Sequence, residues 1–208
     1  MTSRATSADP RAERVRGQMK EAALALVHSR RIEAISVSDI VQRAAVSRQA
    51  FYQHFRDRDD AAATAVIEAF SGSIGRRESF EAREPRARIA WLIRHVAEHS
   101  YLYRNLYPSV VSQRVAEAFR QELNAPCTAL AEGIAECTGV EVGIVEGWLV
   151  GSLMEIIRHW TELPSNPSHQ RSGPRGDETR ILVDGFFQLV TKLAAPNGTT
   201  EARELAGK

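Results

Sequence analysis

Cysteine is scarce in this 208-residue chain: only Cys127 and Cys137 occur. On one helix, residues that far apart in sequence lie roughly 15 Å apart along the axis, beyond the reach of a disulfide within it. So few thiols fit a reducing cytoplasm, which is the expected location. Lysine is scarcer still in proportion, at 3 against 24 Arg. The formal net charge is only +1, so no whole-chain charge announces a nucleic acid or a membrane surface. The small basic excess is unevenly placed: residues 1–60 hold 11 basic and 8 acidic side chains. No long apolar run is present. The most apolar stretch, Val142 to Ile157, contains Glu146 and Glu155. It falls short of the roughly 20 apolar residues a membrane span needs, so no membrane partner is expected. The opening MTSRATSADP lacks the apolar core of a secretory signal. Neither a phosphate-binding glycine loop nor a Ser/His/Asp constellation appears, so neither enzymatic activity nor a cofactor is expected.

Strand signals are equally rare, while helical periodicity recurs along the chain. With 43% hydrophobic residues the chain can bury a sizeable core without staples. Val15, Met19, Ala22, Ala23 and Leu26 mark a first helix that should stop near Arg30–Arg31. Ser36, followed by Asp39, is a capping pattern for a short second helix carrying Ile40, Val41 and Ala44. Ser47 caps a third with Ala50, Phe51 and Phe55, and Asp57 opens a fourth that runs toward Phe70. Residues 71–84 read as a linker. Pro85 suits the first turn of a helix that runs to about Tyr107–Pro108. A further helix spans about Val111 to Cys137, with a possible break at Pro126 and a stop at Gly139. An apolar helix from Val142 to Leu163, a polar loop and a last helix from Asp177 to about Leu193 complete the chain. The first ten residues and residues 196–208 read as disordered tails. The fold class is therefore all-α.

Two short helices joined by about three residues make a helix-turn-helix, whose second helix enters the major groove of DNA. With Ser47 as N-cap, the first turn of that helix presents Arg48, Gln49 and Ala50. Arg pairs bidentately with guanine, Gln with adenine, and the Ala methyl meets thymine. Tyr52, Gln53 and His54 suit phosphate contacts. Arg58 can hold another phosphate, and so can the backbone amides that open the Ser36 helix, near Ser38. Phe51 and Phe55, four apart, should face inward.

The run V-S-R-Q-A-F-Y-Q-H-F followed by R-D-R-D-D resembles the recognition helix and following helix start of the TetR family of transcriptional regulators. The similarity covers residues 12–65 and departs from the family pattern at Arg31, Ala45, Arg58 and Ala61, where Gly, Gly, Lys and Leu are usual. A left-handed residue at either usual glycine would cost an alanine about 1 kcal/mol. The resemblance implies a helix-turn-helix DNA-binding domain over residues 11–58, joined to a larger helical ligand-binding and dimerisation domain over residues 59–195. It implies a ligand-responsive repressor that binds a palindromic operator in double-stranded DNA as a homodimer. An unidentified small-molecule effector would release it.

The residues of the second domain offer their own support. Gly143, Gly147 and Gly151 recur every four positions on one helix face and let another helix approach closely. With Leu153, Ile157, Phe186 and Leu189 they form the expected dimer face. Candidate pocket residues are Trp91, His95, His99, Tyr103, Phe119, Trp148 and Met154, with Tyr101 and Trp160 beside them. They suggest an apolar or aromatic ligand. A rival pattern is His95-Val96-Ala97-Glu98-His99, the inverted zinc-peptidase sequence H-x-x-E-H. It would make the chain a helical metal-dependent hydrolase, given a third ligand from Glu141, Glu146 or Glu155. No metal is expected in the regulator reading.

Overall fold

The computed structural model describes residues 10–75, 84–162 and 176–195, apart from the side chains at 75, 159–162 and 176–178. Among them are nine α-helices and no strand. The chain divides into two compact units. The first holds residues 1–78 and 101–116, and the second holds residues 79–100 and 117–208.

In the first unit, α1 runs Pro10–Ser29 and buries Met19, Ala22, Ala23, Leu26 and Val27 along one stripe. It ends where the Ser29 hydroxyl donates to the Leu26 carbonyl at 2.8 Å. A single 3-10 turn, Ile32–Ala34, then drops Ile32 into the core. Helices α2 (Val37–Ala44), α3 (Arg48–His54) and α4 (Arg58–Gly75) follow. The start of α4 is capped by Asp57, whose carboxylate accepts the Asp60 amide at 2.8 Å. That hydrogen bond, first among the causes, holds the Asp57 carboxyl below its usual range. Ala61, Ala62 and Ala63 are buried, so α4 can lie close to its neighbours through side chains of one carbon.

The chain returns to this unit with most of α6 (Ser100–Leu106) and the start of α7 (Val110–Thr138). The returning segment is tied in by polar contacts. The buried Asn105 amide donates to the Val27 carbonyl near the end of α1, at 2.7 Å. Arg31 donates to the Tyr107 carbonyl at 2.7 Å, and Arg114 pairs with Asp60 at 3.0 Å. A terminal carbonyl of α1 and a loop carbonyl thereby gain side-chain partners.

The second unit contains α5 (Pro85–Glu98), the rest of α7, α8 (Val142–Glu162) and α9 (Gly176–Ala194). Helix α5 packs on both α8 and α9. Its core takes Ile89, Leu92 and Ile93 from α5, Leu123 and Ile134 from α7, Leu149 and Leu153 from α8, and Phe187 and Val190 from α9. Gly139, at φ 73°, ends α7 as the sequence suggests.

Several boundaries differ from the sequence reading. The helix expected to run from 85 to about 107 is two helices, because His99 leaves helical geometry at φ −106°, ψ 16°. Its ring Nδ1 lies 2.8 Å from the His95 carbonyl. Pro126 does not break α7, which runs through it. Helix α4 continues to Gly75, so residues 71–75 of the expected linker are helical, and residues 76–83 lie outside the described residues. Pro10 belongs to α1. Residues 1–9, the loop at 163–175 and residues 196–208 lie outside the described residues.

Candidate nucleic-acid interface

The interface begins with two caps. The Ser36 hydroxyl accepts the Asp39 amide at 3.2 Å, and the Asp39 carboxylate accepts the Ser36 amide at 2.7 Å. This reciprocal capping box opens α2. The Ser36 hydroxyl also donates to Asp39 at 2.7 Å, and Arg30 pairs with the other carboxylate oxygen at 2.9 Å. The Ser36 bonds first, then Arg30, hold the Asp39 carboxyl down at about 2. Ser47 caps α3 in turn, its hydroxyl accepting the Ala50 amide at 3.1 Å.

Between the caps the chain must reverse in three residues. Ala45 does this in the left-handed region, at φ 55°, ψ 41°. Its amide reaches the Gln42 carbonyl at 3.3 Å, and the Val46 amide reaches the Val41 carbonyl at 3.0 Å. Those two bonds make a Schellman ending, which a glycine usually occupies. At Arg31, the other position where the family usually has glycine, the backbone is extended at φ −63°, ψ 147°, and no glycine is needed.

Helix α3 is two-sided. Phe51 is fully buried and Phe55 nearly so, with ring centroids 5.7 Å apart. Arg16 lies over the Phe55 ring at 5.7 Å. Arg48, Gln49, Tyr52 and Gln53 are exposed, Tyr52 at 59%, while Ala50 and His54 are half-buried. The Tyr52 and Phe51 rings form a T-shaped pair with centroids 5.4 Å apart, so Tyr52 is braced by the core while most of it stays exposed. Arg48 donates to the hydroxyl of Ser38 on α2, which brings two of the sequence-predicted residues together. Arg58 has partners within the chain. Its guanidinium donates to the Ile35 carbonyl at 2.9 Å and to Asp59 at 2.7 Å, tying the start of α4 to the residue before the Ser36 cap.

Residues 21–62 match the family described as bacterial regulatory proteins, tetR family. These residues form a TetR-type DNA-binding helix-turn-helix domain, the kind found in transcriptional regulators. The match spans α2, α3, the second half of α1 and the start of α4. No curated protein shows a significant match to the chain. Within this domain α3 is the second helix of the helix-turn-helix, and its exposed side carries Arg48, Gln49, Tyr52 and Gln53.

The residues expected to line a ligand pocket are dispersed. Trp91, Tyr103 and Phe119 are buried, and His95 is nearly so. Trp148 is 45% exposed on α8, and the Trp160 side chain lies outside the described residues. Tyr101 and Tyr103 fall in the first unit, the others in the second. Trp91, His95 and His99 form a stacked ladder on α5, with centroid spacings of 5.1 and 4.4 Å. The two imidazoles lie 28° from parallel, so their in-plane lone pairs run side by side and do not converge on one ion. Among the described residues no group of three His, Cys, Asp or Glu could hold a metal. No described helix is long and apolar enough to cross a membrane.

The expected dimer residues also divide. Gly143, Gly147 and Gly151 are exposed, and Leu189 is 57% exposed. Leu153, Ile157 and Phe186 are instead buried in the protomer's own core. The same helices expose Ile144, Trp148 and Ile181, which periodicity alone did not single out for this face.

Proposed function

We propose that this chain represses transcription by binding a palindromic operator as a homodimer, and that a small molecule releases it. The observation that carries the reading is the two-sidedness of α3 within a matched TetR-family domain: Phe51 and Phe55 anchor it while Arg48, Gln49, Tyr52 and Gln53 stay exposed. Arg48, Gln49 and Ala50 read base edges, and Tyr52 and His54 hold phosphates. One such helix buries too little surface for useful affinity, whereas two related by a two-fold axis reach successive major grooves about 34–36 Å apart. The exposed glycines, Ile144 and Trp148 of α8, with Ile181 and Leu189 of α9, supply the apolar surface a partner copy would cover. Release requires a ligand that favours a conformer in which the two recognition helices no longer match the groove spacing. The stacked imidazoles favour this reading over the hydrolase alternative.

Fluorescence anisotropy against DNA from the gene's own upstream region, and against sequences selected from a random pool, tests this. Steeply salt-dependent binding is expected. His54→Ala should weaken all sites alike, while Arg48→Ala should cost about 1–3 kcal/mol at one base pair and relax its identity. Failure to enrich any sequence from the pool would refute the proposal. Trp148→Glu should yield monomers in sedimentation, and an unchanged dimer would move the interface elsewhere.

A further inference from the structure

The second unit carries a groove between α5 and α9 of about 580 Å³, within the roughly 300–1,000 Å³ of small-molecule sites. None of the seven sequence-predicted pocket residues lines it. Its apolar part comes from Ala90 and Ala97 on α5 and Val183 on α9. Two alanines seven positions apart leave open the space that longer side chains would fill.

The polar groups of the groove are unequal. Arg86 is already committed, paired with Asp184 at 3.0 Å and lying 4.7 Å over the Phe187 ring. Further along stand Arg94, Arg180 and one carboxylate, Glu98. Arg94 makes no ion pair or hydrogen bond with any described residue. A lone surface arginine is ordinarily just solvated. Thr179 distinguishes this one. It is only 6% exposed, it lines the same groove, and its hydroxyl has no hydrogen-bond partner among the described residues. The residue is held in the packing while its hydroxyl oxygen stays accessible, so a polar group seated in the groove can take up its open hydrogen bond.

We infer that this groove binds a small organic anion with an apolar body, such as an aryl carboxylate or sulfonate, its charged end on Arg94 and Thr179 and its body over Ala90, Ala97 and Val183. A guanidinium fork and a hydroxyl donor suit an oxyanion, and the guanidiniums outnumber the carboxylates. The inference deepens the effector half of the proposed function and rests on the second unit being its ligand-binding part. It does not depend on DNA binding.

A matched pair of fluorescent probes tests it on the full chain. These are 8-anilinonaphthalene-1-sulfonate and N-phenyl-1-naphthylamine, which share their rings and differ by the sulfonate. One sulfonate probe should bind per chain, at least tenfold tighter than the amine. Arg94→Glu should weaken the sulfonate at least tenfold and leave the amine unchanged, and Arg94→Lys should recover most of the loss. Ala90→Phe should weaken both probes by filling the groove. Equal affinity for the two probes, no binding of either, or an Arg94→Glu variant that behaves like wild type would overturn the inference. Operator binding measured by anisotropy on the same samples reports separately on the DNA-binding reading.

Discussion

Replacing Ala45 by glycine should make this protein more stable. Ala45 is the only non-glycine residue among those described with a positive φ, at 55°. There its Cβ crowds the following carbonyl, a strain of roughly 1–2 kcal/mol for an L-residue. Glycine removes the strain but has more conformations to lose on folding, which offsets about 0.4–1 kcal/mol. The Ala45 methyl is exposed, so no buried contact disappears with it. The balance is a stabilisation of about 0.5–1 kcal/mol, or roughly 1–4 °C in Tm for a chain of this size. Urea titration followed by circular dichroism measures it. Ala45→Val is the opposing control, because a β-branched residue fits the left-handed region worst and should destabilise by more than glycine stabilises. Operator affinity should hold in Ala45→Gly, since the helix-turn-helix geometry is kept. A glycine variant no more stable than wild type, with a harmless valine, would show that the turn is not left-handed in solution.

Three other substitutions probe the same unit. Ser36→Ala removes the hydroxyl that caps α2 and should cost about 1 kcal/mol in the same titration. Phe51→Ala empties the fully buried centre of the recognition helix and should cost about 3–5 kcal/mol, abolishing operator binding through loss of fold, visible as a collapsed near-ultraviolet spectrum. Asp39 should make the protein acid-sensitive. Its carboxyl titrates near 2 when folded against an ordinary 3.8, so its contribution is full above about pH 4 and is lost as pH falls toward 2. Over that window the urea midpoint of wild type should fall more steeply than that of Asp39→Asn, and parallel curves would contradict the assignment.

The helix-turn-helix was legible because every signal it uses is local. Ser36 and Asp39 cap each other across three residues, Ser47 caps Ala50 across three, and Phe51 and Phe55 share a face by helical period. The left-handed turn at Ala45 was signalled only by the resemblance, since the family usually has glycine at that position. The bond from Arg58 to the Ile35 carbonyl, 23 residues earlier, is not legible in the sequence, because charge alone does not name a backbone partner. The break at His99 and the unbroken helix at Pro126 also escaped, since neither departs from its neighbours in helical periodicity.

The second unit was less legible for a physical reason. Aromatic and glycine residues at helical spacing say that a helix has a face, but not what that face meets. Leu153, Ile157 and Phe186 share a periodicity with exposed neighbours, and only the packing of α5, α8 and α9 sends them into the protomer core. Asn105 on Val27, Arg31 on Tyr107 and Arg114 on Asp60 join positions 54 to 78 residues apart, and nothing in the sequence pairs them. Caps, turns and periodicity act within a few residues, so the helical order and the two-sided helix of the helix-turn-helix could be read in advance, and the resemblance supplied the family. Which apolar side chains are core, which remain exposed, and where a groove opens between α5 and α9 depend instead on how whole helices pack, and no local signal carries that.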